Sequence, residues 1–312
     1  MDFLNSKTNM LNQLSISQRL AKLLLGICGK TIRNSLPDEL FLKLKYKAVL
    51  GRKLNLTSPV GFNEKLQWLK LYDRRPEYVK MVDKLEAKKY VDDILGPGYT
   101  IPTYGCWNRF AEIDFANLPE QFVLKTTHDS GTVVICKDKQ SFSIEKSKIK
   151  LEKSLKSNYW LHGREWPYKN VVPRIIAEKY MVDESGQELK DYKWFCFNGE
   201  PKALFIATER FSDEGAKFDF FDMDFNHLPF TNGHPNSTHA IAKPSSFEEM
   251  KNVARKLSAD IPHVRVDLYD INGKIYFGEL TFYHWSGLVP FEPPEWDLKF
   301  GDWITIPESK SR

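Results

Sequence analysis

The chain has 312 residues, of which 42% are hydrophobic and 28% charged, enough apolar content for a sizeable core and an ordinary charge for a globular protein. Its net charge of +4 is spread along the chain, which excludes a dedicated nucleic-acid binder and leans only slightly toward an anionic ligand. No apolar stretch is long enough to span a bilayer, and Cys28, Cys106, Cys136 and Cys196 form no CxxC pair, so buried thiols in a reducing cytoplasm are expected instead of a disulfide framework or a zinc site.

The opening Met1-Asp2-Phe3 lacks a secretory n-region, which also fits a cytoplasmic location. Residues 14–36 form a basic amphipathic stretch, with Leu20, Leu23, Leu24 and Ile27 against Arg19, Lys22, Lys30 and Arg33. Such a segment could lie on an anionic membrane surface, although packing on its own domain is the commoner use. A helix is predicted over Asn63–Tyr72, capped by Asn63, and another over Lys80–Ile94, stopping at Gly96-Pro97-Gly98.

A hairpin follows, with strands Gln121–Lys125 and Val133–Lys137. The connecting Thr126-Thr-His-Asp-Ser-Gly-Thr132 is a loop of small polar residues. Ile144–Leu155 reads as a charged helix. Strands are predicted at Arg174–Met181, Asp191–Phe197 and Lys202–Thr208, the last pair joined at Asn198-Gly199. Ser246 and Glu249 have capping-box spacing, and Phe247, Met250, Val253, Ala254 and Leu257 give that helix one apolar face. Irregular alternation with antiparallel hairpins makes the class α+β.

The last hairpin, His263–Thr281, carries the sharpest chemical signal. Val264, Val266, Leu280 and Phe282 would share one apolar face if Asp267 stands opposite Glu279 and Arg265 opposite Thr281. A simple two-residue turn at Asn272-Gly273 would instead pair Asp267 with Gly278, so an odd-length or bulged loop is predicted there. Facing carboxylates repel unless a cation lies between them, and hard oxygen ligands suit Mg²⁺ bridging phosphates. The alternative is a solvated face bearing two unrelated acids. Lys125, at a strand end before a loop rich in backbone N–H groups, suits phosphate. Glu178-Lys179-Tyr180-Met181 could offer backbone groups to a purine edge. Asp222-Met223-Asp224 spells a metal and nucleotide-sugar motif of glycosyltransferases, but Asp and Asn here also favour a turn.

The succession Asp83-Lys84, Lys125 before a small-residue loop, Glu178-Lys179-Tyr180-Met181, Arg265-x-Asp267 and Glu279-x-Thr281 resembles the ATP-grasp superfamily. More narrowly, Phe62-Asn-Glu-Lys-Leu-Gln-Trp68, Phe195-Cys-Phe-Asn-Gly-Glu-Pro201, Asp219-Phe-Phe-Asp-Met-Asp224 and Phe277-Gly-Glu-Leu-Thr-Phe-Tyr283 look like the teichuronopeptide-biosynthesis (TupA-like) family, over about Leu36–Ile306. The resemblance implies an ATP-grasp fold of two α/β subdomains gripping ATP. Residues 1–80 would be a helical lead-in, 81–175 the first subdomain with a phosphate-binding flap, and 176–312 the second, with the hinge and the metal hairpin.

It further implies that Lys84 and Lys125 reach the phosphates, under a flap containing Ser130 and Gly131. Glu178 and Lys179 would form the hinge, and Met181 the backbone contact to adenine. Arg265 would be the transition-state arginine, and Asp267 and Glu279 the Mg²⁺ ligands. The chain departs from the pattern in having only Gly131 in the flap and in having Thr281 as the third metal ligand, where an Asn is usual. The implied reaction joins a uronic acid of a cell-surface polysaccharide to an amino acid or related amine, by an ATP-driven acyl phosphate. Trp160, Trp166, Trp194, Trp285, Trp296 and Trp303 would suit sugar stacking, or ordinary core packing.

Overall fold

A computed structural model describes residues 15–27, 34–182, 189–209, 212 and 215–308. Helices α1 (Ile16–Ile27), α2 (Asp38–Leu50), α3 (Phe62–Tyr72), α4 (Glu77–Val82) and α5 (Glu86–Leu95) come first. Strands β1 (Thr103–Trp107), β2 (Phe122–Thr126) and β3 (Val133–Cys136) follow, then α6 (Ile144–Leu155), α7 (Trp160–Gly163) and β4 (Ile175–Lys179). The remainder is β5 (Asp191–Phe197), β6 (Glu200–Thr208), β7 (Lys217–Phe221), β8 (His227–Leu228), α8 (Phe247–Leu257), β9 (His263–Ile271), β10 (Lys274–Thr281) and α9 (Glu295–Asp302).

Two antiparallel sheets result, a smaller one ordered β1-β4-β2-β3 and a larger one ordered β10-β9-β5-β6-β7-β8. Phe122, Leu124, Ile175 and Ala177 alternate inward on the small sheet and bury Leu151 of α6. The large sheet packs α3 and α8 around Phe62, Leu66, Trp194, Phe195, Met250 and Leu257. The apolar face expected for α8 is buried at Phe247, Met250, Val253, Ala254 and Leu257.

The polar side chains of α3 fasten it to residues far along the chain. Asp297 Oδ1 accepts the Asn63 backbone N–H at 2.9 Å across 234 residues. Lys65 donates to the carbonyls of Gly301 and Ile304, and Gln67 Nε2 to those of Ser286 and Gly287. The buried Lys70 ammonium donates to Gln67 Oε1 and to both oxygens of Ser286, and burial draws its pKa down to about 7. This clasp supports a turn in which Trp285 and Ser286 take left-handed backbone angles (φ 49° and 56°), uncommon for residues with a Cβ.

Local signals are overridden in several places. The helix predicted over Lys80–Ile94 is split, because Asp83 Oδ1 accepts the backbone N–H groups of Leu85 and Glu86 and so starts a new helix. Asn63 lies inside α3 instead of capping it; Asp297 satisfies its buried backbone N–H from elsewhere. Ser246 turns its hydroxyl to Asp270, so the capping box does not form. Cys136 and Cys196 are buried, but Cys106 lies on the outer face of β1 and is exposed. Of residues 14–36, residue 14 and residues 28–33, which include Cys28, Lys30 and Arg33, lie outside the described residues. Within α1, Ala21 is buried while Leu20, Leu23 and Leu24 remain exposed. No helix among the described residues is long and apolar enough to cross a membrane.

The β9–β10 hairpin has the predicted pairing by a different device. Asp267 stands opposite Glu279 and Arg265 opposite Thr281. The turn itself is nevertheless the two-residue one, with Asn272 and Gly273 at φ 55° and 79°. The extra residue is Gly278, bulged out of β10 between Phe277 and Glu279. The bulge puts Val264, Val266, Leu280 and Phe282 into the core and the polar set on the other face.

Candidate active site

The small sheet supplies the cations. Lys125, near the end of β2, forms an ion pair of 2.6 Å with Glu178 on the adjacent β4. Glu178 also pairs with Lys88 of α5. Burial opposes ionisation of Glu178, but Lys125 and Lys88 outweigh it and hold the carboxyl below its usual range. Lys84 sits in the break between α4 and α5, not on a helix as predicted. Its N–H meets the Thr127 carbonyl, and its ammonium reaches the carbonyls of Thr126 and Asp129. Burial pulls the Lys84 pKa down.

The loop after β2 has a buried base and an open tip. Asp129 accepts hydrogen bonds of 2.6 Å from both Thr126 Oγ1 and Ser154 Oγ. Ser130 and Gly131 are exposed, and Gly131 has φ 90° with nothing within 4 Å of where a Cβ would stand. Lys179 is exposed at the end of β4, and Met181 follows it.

The large sheet supplies the acids. Arg265 donates from Nε and Nη2 to the two oxygens of Asp267, both at 2.6 Å. The same Nη2 lies 3.3 Å from Glu279 Oε1 and 3.1 Å from Thr281 Oγ1. One cationic nitrogen therefore occupies the point where the three predicted metal-binding side chains converge. That geometry, with hard oxygen donors, fits a Mg²⁺ site, the guanidinium nitrogen standing where a cation would be drawn. Two carboxylates and a hydroxyl leave several positions of a six-coordinate shell for phosphate oxygens or water. Among the described residues no group of three His, Cys, Asp or Glu side chains is gathered in this way. Burial would raise the Asp267 pKa, but Arg265 and Lys193 outweigh it and hold the carboxylate ionised. The side chain of Glu279 is 41% exposed against 2% for Asp267, so it is the open edge of the set.

One cleft of about 460 Å³ joins the two halves. Lys84, Lys125, Gly131, Glu178, Lys179, Met181, Asp267 and Glu279 line it, with Val123, Ile135 and Tyr180 among its other walls. Ser130 adjoins Gly131, and Arg265 and Thr281 are bonded to the lining acids. A larger cleft of about 950 Å³ lies elsewhere, beside Lys43, Lys53, Trp68 and Tyr72, and holds none of the predicted residues.

Three neighbours of the site are missing from the sequence-based set. Lys193 stands opposite Asp267 across the β5–β9 pair and forms ion pairs with Asp267 and Asp191. Lys88 shares Glu178, and His284 accepts a hydrogen bond from Arg265. Asp191 and Lys193 do alternate with the buried Tyr192 and Trp194, a pattern readable in the sequence, but their partner strand is not. Asp222 is committed to a turn: its oxygens accept the N–H groups of Asp224 and Asn226 and the Asn226 amide. Trp194 is core, whereas Trp285 is 40% exposed.

A family model described as TupA-like ATP-grasp matches residues 64–305. No curated protein matches the chain. Among solved structures it is similar to D-alanine–D-alanine ligase from Bacillus anthracis complexed with ATP, at 16% identity and a TM-score of 0.39, over 72% of this chain and 58% of that one. The corresponding ligase from Helicobacter pylori gives 16% identity and 0.42, over 78% and 69%. The ATP-grasp ligase PsnB complexed with minimal precursor, Mg and ADP gives 9% and 0.36, over 81% and 64%. The chain thus spans less than two thirds of the first of these relatives.

Proposed function

The chain belongs to the TupA-like ATP-grasp family, and we propose that it is a ligase and that the bond it makes is an amide between a carboxylate and an amine. The observation that carries this reading is the single cleft with lysines on one wall and, on the other, three oxygen-bearing side chains converging on Arg265 Nη2. A triphosphate needs both: cations for its oxygens, and acids that share a divalent ion with it.

In this reading Lys84 and Lys125 hold phosphate oxygens and Ser130 and Gly131 cover them. Glu178 keeps Lys125 in place, and Lys179 and Met181 border the base. Mg²⁺, held by Asp267, Glu279 and Thr281, would neutralise phosphate charge. A substrate carboxylate oxygen attacks the γ-phosphorus, the bond to the β,γ-bridging oxygen breaks, and ADP leaves. Arg265 faces the charge that builds on the transferring group. The amine nitrogen then attacks the acyl carbon, phosphate departs, and the nitrogen gives up a proton. The TupA-like resemblance points to a uronic acid of a surface glycan as acyl donor and an amino acid or related amine as nucleophile. The exposed Leu20, Leu23 and Leu24 beside Arg19 and Lys22 would allow α1 to rest on an anionic membrane where such glycans are assembled.

The test is incubation with ATP, Mg²⁺, a uronic-acid glycan and mixed amino acids, reading ADP and an amide mass shift. Sugar transfer from a UDP-sugar without ATP consumption would overturn the reading. Lys125→Ala removes a charge-assisted phosphate contact and should cost about 1.5–3 kcal/mol of ATP affinity by calorimetry. Affinity unchanged within about twofold would remove Lys125 from the site.

A further inference from the structure

Arg265 spends its Nε and Nη2 hydrogens on Asp267, Glu279 and Thr281. Its Nη1 goes to Nδ1 of His284 at 2.8 Å. The polarity of that contact is forced. A guanidinium only donates, so Nδ1 accepts, and the imidazole is neutral with its proton on Nε2. Nε2 in turn lies 2.9 Å from Asn232 Oδ1, which accepts that proton. The Asn232 amide cannot be turned over, because its Nδ2 donates to the carbonyls of Val289 and Pro290. An ordered line of donors therefore runs from Arg265 through the ring and the amide to the backbone.

The line is built into the core. His284 is 2% exposed and Asn232 1%, and the ring stands edge-on to Phe195 at 4.9 Å. Burial, and then the positive Arg265, hold the His284 pKa well below the usual imidazole range. Among the described hydrogen-bond partners of the Arg265 guanidinium, His284 is the one outside the proposed cation set. When Asp267, Glu279 and Thr281 turn their oxygens to a metal ion, the hydrogen bond to His284 is the one that stays.

We infer that His284, oriented by Asn232, is a positioning residue that keeps the Arg265 guanidinium aimed at the transferring phosphoryl group while the acids engage a cation. The inference rests on the ligase reading. Its test compares binding of ADP with that of ADP, Mg²⁺ and aluminium fluoride, a mimic of phosphoryl in transfer, in the wild type, His284→Phe and His284→Asn. The wild type should bind the fluoride complex more tightly than ADP. Loss of aim should weaken the fluoride complex about tenfold or more in His284→Phe, with ADP affinity held within about twofold. His284→Asn, whose Oδ1 sits as many bonds from Cα as Nδ1 and also accepts, should restore most of the difference. Equal losses for both ligands, no gain from fluoride in the wild type, or an Asn variant no better than Phe overturns the inference.

Nitrogen-15 spectra of the wild type keep the question open to decision should His284→Phe not fold. His284 should carry its proton on Nε2 both alone and with Mg²⁺ and a non-hydrolysable ATP analogue. A wild type that binds no adenine nucleotide sinks the ligase reading and this inference with it. Nucleotide binding with the proton on Nδ1 sinks the inference alone.

Discussion

Two neighbouring hairpins of the large sheet, β5–β6 and β9–β10, share a plan and differ in where it is broken. Each turns on an Asn-Gly pair with positive φ at both residues, Asn198-Gly199 and Asn272-Gly273. Each carries one extra residue in its second strand. In β6 it is Lys202, exposed and close to the turn. In β10 it is Gly278, deeper in the strand and on the wall of the cleft. A Cβ on Gly278 would stand 3.1 Å from the Asp267 carbonyl and 3.1 Å from the Tyr269 ring. The same turn thus serves two ends. The first bulge adjusts a core strand near its tip, and the second aims a set of oxygens.

The largest effect expected from this difference concerns the charges that the second bulge aims. Asp267→Asn leaves Arg265 and Lys193 buried without their shared acid, and should cost about 3–5 kcal/mol of stability as well as turnover. Glu279→Gln, at the open edge, should also end turnover but shift stability by no more than about 0.5 kcal/mol. Urea unfolding of both variants measures the contrast, and equal stability losses would mean that Glu279 is as enclosed as Asp267. Next comes the bulge itself. Gly278→Ala forces a methyl against backbone and should cost about 1–3 kcal/mol. Lys202→Ala in the sister hairpin should stay within about 0.5 kcal/mol. Matching penalties in thermal melts would show that the two bulges are equivalent.

A smaller effect per pH unit is expected where the hairpins meet. His263 at the start of β9 pairs with Phe197, its Nδ1 faces the Cys196 carbonyl, and burial brings its pKa down to about 3. A histidine depressed in the fold is neutral in both states above about pH 6.5, and contributes fully there. Below that pH the unfolded chain takes up a proton that the folded chain refuses. Stability is therefore lost progressively as pH falls from 6.5 toward 3, at about 1.4 kcal/mol per pH unit. His284, depressed as well, adds to the slope below about pH 6.5. Urea midpoints at pH 7.5 and 5.5 test this, and a flat profile would mean that His263 is charged in the fold.

Much of the site is legible in alternation alone. Val264, Val266, Leu280 and Phe282 demand one face, and that demand by itself sets Asp267 opposite Glu279. The device is harder to read, because Asn272-Gly273 and Gly278 are both plausible places for an extra residue, and only packing against Asp267 and Tyr269 decides between them. Lys193 has no such signal, since its role depends on β5 lying beside β9, a pairing across 74 residues with no local signature. Asp83 reads as part of a helix start, yet it ends one helix and begins the next, which is what frees Lys84 to reach the loop after β2. Of the small-sheet strands, β2, β3 and β4 lie within two residues of their predicted bounds, whereas β1, at Thr103–Trp107, is absent from the sequence-based set.

The clasp between α3 and residues 284–304 has a consequence for synthesis. Its hydrogen bonds join groups 216 to 239 residues apart, so they are among the most non-local contacts in the chain. Contacts of such span close late, after loop entropy has been overcome. Helix α3 leaves the ribosome early and must wait for Ser286, Val289 and Ile304 before its polar side chains have these partners. Arg265, Asp267 and Glu279 are translated just before those residues. A nascent chain halted after Thr281 would hold every proposed phosphate and metal contact in its sequence, yet lack His284 and the turn that α3 braces behind it.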